Sequence, residues 1–61
     1  MEKSIERINE VSEELGIMKA HFRNVKLSVI DLETQEKIID NFNKAEKALE
    51  ENMDILENLN K

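Results

Sequence analysis

Apolar residues recur every three or four positions along most of this chain, and that spacing commits it to helix. With Met1 at position a of a heptad, the a positions are Met1, Ile8, Leu15, Phe22 and Val29. The d positions are Ser4, Val11, Met18, Val25 and Leu32. From Ile8 to Leu32 this seam is apolar throughout. Strands need a period of two, which only the stretch from Val25 to Val29 offers. A single strand would have nothing to pair with, so the chain reads as all-α.

The frame does not survive to the end. Continued, it places Glu36, Asn43, Glu50 and Glu57 on the seam. A frame shifted by one residue restores an apolar stripe, with Phe42, Leu49 and Leu56 at a and Ile38, Ala45, Asn52 and Leu59 at d. Ile39 and Met53 at e, with Ala48 and Ile55 at g, widen that face. Continuous coiled coils absorb insertions of three or four residues. A one-residue slip is better explained by a turn between two helices. The expected fold is an antiparallel two-helix hairpin with a helix over about 2–32, a turn over 33–35 and a helix over about 35–60. Thr34 would cap the second helix with its hydroxyl, and Gln35 and Glu36 suit a helix start. Folding about Thr34 sets Phe22 opposite Ala45 and Ala48, Phe42 opposite Val25, and Leu15 opposite Met53. Gly16 resembles a helix stop, yet the heptad runs through it, so the helix is expected to continue there.

Size then constrains assembly. A chain of 61 residues buries only about 60% of its unfolded surface and needs a staple. It has no cysteine and one histidine, which removes disulfides and thiolate or histidine-rich metal sites. Association with another chain is the staple left, and the wide apolar faces suit a homodimer forming a four-helix bundle.

Chemistry is sparse. His21 has Ile17 and Val25 one turn either side, so no acid on its own helix face could orient it as a base. Glu2, Glu6, Glu10 and Glu13 fall on outward positions, and the residue three before His21 is Met18, so the Glu-x-x-His pattern of di-metal bundles is missing. Nothing points to an enzyme, a cofactor or a metal. The net charge of −5 argues against nucleic acid and anionic membranes as partners. No apolar run approaches the ~20 residues of a membrane span, and no signal-peptide pattern appears at Met1, so a cytoplasmic location is expected.

The remaining signal is a strip off the seam. Ile17, Ala20, Leu27 and Ile30 lie on the back of the first helix in this frame, beside Lys19, Arg23 and Lys26. Apolar anchors flanked by charges suit a contact with another protein, so Ile17, Lys19, Arg23, Lys26, Leu27 and Ile30 form the expected partner-binding set. Asn52, polar on an apolar seam, is expected to fix oligomer register. The expected function is a small protein-interaction module: a regulator, an inhibitor or an adaptor. The alternatives are a nucleic-acid-binding hairpin dimer using the three cations, and a structural subunit of a larger assembly.

Overall fold

A computed structural model describes residues 2–59. Met1, the first seam position, and Asn60, the expected end of the second helix, lie outside the described residues. Two helices make up the structure: α1, Glu2–Arg23, and α2, Leu32–Leu59. They pack against each other as an antiparallel hairpin, and among the described residues there is no strand. No helix is long and apolar enough to cross a membrane. The hairpin is slender, 50 × 16 × 9 Å, with a radius of gyration of 14.6 Å where a compact chain of this length would have about 10.5 Å.

The connection differs from expectation. The heptad predicts helix to about residue 32; α1 ends at Arg23, and residues 24–31 form the link. Asn24 turns its side-chain amide back onto the carbonyl of Ala20 at 2.9 Å, which competes with further helix. Val25, Val29 and Ile30 are β-branched and Ser28 is a weak helix former, so nothing draws the helix onward. Apolar spacing alone carries the frame through these residues. Backbone bonds from Val29 and Ile30 to Lys26 make a single turn in the link.

The second helix starts on Asp31, not Thr34. Oδ1 of Asp31 accepts the backbone N–H of Thr34 at 2.7 Å, and Gln35 N–H donates to the Asp31 carbonyl at 3.0 Å as the first helical bond. Two hydrogen bonds from Thr34 hold the Asp31 carboxyl below its ordinary value of 3.8, its side chain contributing most and its backbone N–H next. Asp31 opens the helix because Leu32, Glu33 and Thr34 are already helical; the hydroxyl of Thr34 comes three residues too late.

Gln35 joins the two helices. Its side-chain amide donates to the carbonyl of Phe22 at 2.8 Å and lies 3.2 Å from that of Arg23 and 3.4 Å from that of Val25. Phe22 and Arg23 close α1, whose last carbonyls lack a full set of helical partners, and Val25 lies just beyond in the link; the Phe22 carbonyl also accepts the Val25 N–H at 3.4 Å. A glycine cap is thereby dispensable, and none is present. Gly16 has ordinary helical geometry, and α1 runs through it unbroken.

Between the helices Phe22 lies on Phe42, ring centroids 5.8 Å apart and planes tilted by 33°. Phe22 and Ala45, expected to face each other, line one groove, but the ring partner of Phe22 is Phe42, the residue expected opposite Val25. The longer link moves α2 by nearly one turn along α1. On α2 the half-buried stripe is Ile38, Phe42, Ala45, Leu49, Met53 and Leu56, the shifted frame with Met53 in place of Asn52. On α1 the expected seam residues Ile8, Val11, Leu15 and Phe22 are half-buried, and Ile5, Ser12 and Lys19 join them on one flank where Ser4 and Met18 are exposed. Met18, Val29 and Leu32 are exposed although the first frame has them on the seam.

Candidate interaction surface

Among the described residues no side chain is fully buried. The hairpin therefore has one half-covered apolar stripe and two open sides, which differ in chemistry. Helical geometry sorts the residues between them.

One side is polar. Lys19 lies at its edge, with Nζ 2.7 Å from Glu46 Oε1 and 3.1 Å from Asn43 Oδ1. The two side chains are only 19% and 34% exposed, so this is the most sheltered ion pair described. Glu46 Oε1 is shut off from water and its contact with Lys19 lacks hydrogen-bond alignment, so the pairing is ionic. Lys19 can occupy an inward position because its aliphatic stem packs on the stripe while its head meets an acid on the other helix. Arg23, Glu36, Asp40 and Asn43 line the same side near the link.

The opposite side is apolar. A groove of about 370 Å³ runs between the helices there, lined by Leu15, Phe22, Ile38, Asn41, Phe42 and Ala45. Val11 and Met18 flank it on α1; Ala48, Asn52, Ile55 and Leu59 continue it along α2. Ile55 is 59% exposed and Leu59 69%. Helical positions on this side carry no charged residue from Val11 to Phe22 or from Ile38 to Leu59; charges begin at the rims, with Arg7 and Glu14 on α1 and Lys37, Lys44 and Glu51 on α2.

The residues expected to bind a partner are not brought together. Lys19 is turned inward to Glu46. Ile17 is exposed on the back of α1, and Arg23 is exposed at its last turn. Lys26, Leu27 and Ile30 belong to the link, so the ridge of Lys19, Arg23 and Lys26 has no continuous helix beneath it. Leu27 is 58% exposed and Ile30 half-buried. Asn52 is exposed, on the apolar side. His21 is exposed and meets the ring of Phe22 edge-on, 5.4 Å between centroids. Sequence reasoning missed Gln35 as a cap and Asn41 as a second amide on the apolar side. The signal for Asn41 was present, since it lies eleven residues before Asn52 and so shares its helix face.

The chain is thus, at the level of its fold, an all-helical hairpin with one polar and one uncharged apolar side. No protein-family model, curated protein or solved structure matches it.

Proposed function

We propose that this chain is a small non-enzymatic protein-interaction module that acts through its helix faces, first by pairing with a second copy into a four-helix bundle. The observation that carries this reading is the uncharged apolar side from Val11 to Phe22 and from Ile38 to Leu59. An apolar surface of that length on a monomer is rare unless something covers it. Ile17 and Leu27, exposed on the back of α1 and in the link, are left for a different protein, as in a regulator, inhibitor or adaptor acting in the cytoplasm. The nucleic-acid alternative loses ground because Lys19, one of its three cations, is engaged by Glu46.

Sedimentation equilibrium over a hundredfold range of concentration tests this. The parent chain should move from one to two copies as concentration rises, with melting temperature rising alongside. Ile55→Glu, on the apolar side, should hold the chain as a monomer, while Leu27→Glu should leave self-association unchanged. A helical parent that stays monomeric, with a melting temperature independent of concentration, would refute the reading.

A further inference from the structure

We infer that the second copy docks with its α2 antiparallel to α2 of the first, about a two-fold axis between Glu46 and Lys47. This rests on the self-association proposed above and adds its register. The positions of α2 on the apolar side are Ile38, Asn41, Ala45, Ala48, Asn52, Ile55 and Leu59, spaced alternately by three and four. That is the seam of a two-helix contact. Its order is close to palindromic: isoleucine, asparagine, alanine, alanine, asparagine, isoleucine. Laid antiparallel on itself, the strip sets Ile38 against Ile55, Asn41 against Asn52 and Ala45 against Ala48 of the second copy, each pair occurring twice. Such self-complementarity is what a two-fold contact requires.

The amides select this register. A carboxamide offers both donors and acceptors, so Asn41 and Asn52 of opposite copies satisfy each other away from water. A slip of one heptad one way sets Asn41 against Leu59; a slip the other way sets it against Ala45. Either leaves an amide facing an apolar side chain, which is unfavourable when buried. The alanines at the centre let the helices approach closely. Lys44 and Glu51 flank the seam on the same edge, and the two-fold axis brings Lys44 near Glu51 of the second copy, so the rims are complementary in charge.

The area is of the right size. The hairpin exposes 4960 Å², where a compact protein of its mass would expose about 4,100 Å². That excess of roughly 900 Å² per chain is surface that a second copy can cover, about what one partner contributes to a standard stable interface.

The chain has no cysteine, so single cysteines can report the register. Ala45→Cys and Ala48→Cys would be purified separately, then mixed in equal amounts and oxidised. The axis sets the thiol introduced by Ala45→Cys opposite the one introduced by Ala48→Cys on the other copy, whereas equal positions are offset along the helix beyond disulfide reach. The mixture should cross-link several-fold faster than either variant alone. Equal rates in the mixture and the separate variants, with sedimentation still reporting dimers, would overturn the register and leave self-association standing. Monomers at every concentration would overturn both.

Discussion

Removal of the Gln35 side chain is the sharpest local perturbation this fold offers. Gln35→Ala deletes a donor 2.8 Å from the carbonyl of Phe22, in a part-buried position. The carbonyls of Arg23 and Val25, at 3.2 and 3.4 Å, are secondary partners, because one amide has two hydrogens for three acceptors. The net loss of such a bond is about 0.5–1.5 kcal/mol, and the Phe22 carbonyl keeps a second, longer partner in the Val25 N–H at 3.4 Å. Since water can also reach part of the site, a total of about 1 kcal/mol is expected. For a domain of this size that corresponds to roughly 4–8 °C in melting temperature. Gln35→Glu keeps the shape but removes the donor and sets a negative charge beside the negative end of α1. The start of α2 offsets part of that by about 0.3–1 kcal/mol. The carboxyl introduced there would have its pKa raised by the α1 carbonyls. The added destabilisation of Gln35→Glu should then be full above that pKa and shrink as pH falls below it, because a protonated carboxyl can donate again. Urea unfolding followed by circular dichroism, at one fixed protein concentration for all variants, measures both effects. Gln35→Ala within about 0.3 kcal/mol of the parent, or a Gln35→Glu deficit that ignores pH, would refute the capping role.

Two further outcomes follow from the remaining polar contacts. The carboxyl of Asp31 is held below 3.8 by the bonds from Thr34, so its contribution is present above that value and is lost as pH falls through the lowered one; Asp31→Asn should flatten that acid limb in a circular-dichroism titration while keeping the cap. A double-mutant cycle of Lys19→Met and Glu46→Gln should give a coupling of about 1 kcal/mol, against about 0.3–0.5 kcal/mol for the exposed Lys44 and Asp40 pair, both read by urea unfolding.

Periodicity reads α2 closely. Ile38, Phe42, Ala45, Leu49 and Leu56 face α1 as the shifted frame predicts, because on that helix hydrophobicity and burial agree. On α1 they agree at Ile8, Val11, Leu15 and Phe22 and part company at Met18 and Lys19. Lys19 outranks Met18 for the inward position because Glu46 waits across the interface, and such a partner is invisible to spacing along one helix. The end of α1 is hidden for a related reason. Its cap, Gln35, lies beyond the link, and no glycine or proline marks the stop. With the link misplaced, the pairing between helices is displaced by nearly a turn. Spacing along one helix singles out the back of α1, while the uncharged side emerges only once both helices are oriented together.

The bond from Gln35 to Phe22 also bears on how the hairpin assembles in time. It closes a loop of thirteen residues, one of the shortest long-range contacts in the fold. Loops of that length close in about 10–100 ns, far faster than distant segments meet. The same contact fastens the last turn of α1 to the first turns of α2, so both helices acquire a fixed end at once. Docking can then proceed from Phe22 and Phe42 toward Ile5 and Leu56 as each further turn is laid down beside its neighbour. In the monomeric hairpin, at high dilution, that tie should leave backbone amides beside the link slower to exchange with solvent than those at the open end, where nothing joins the two helices.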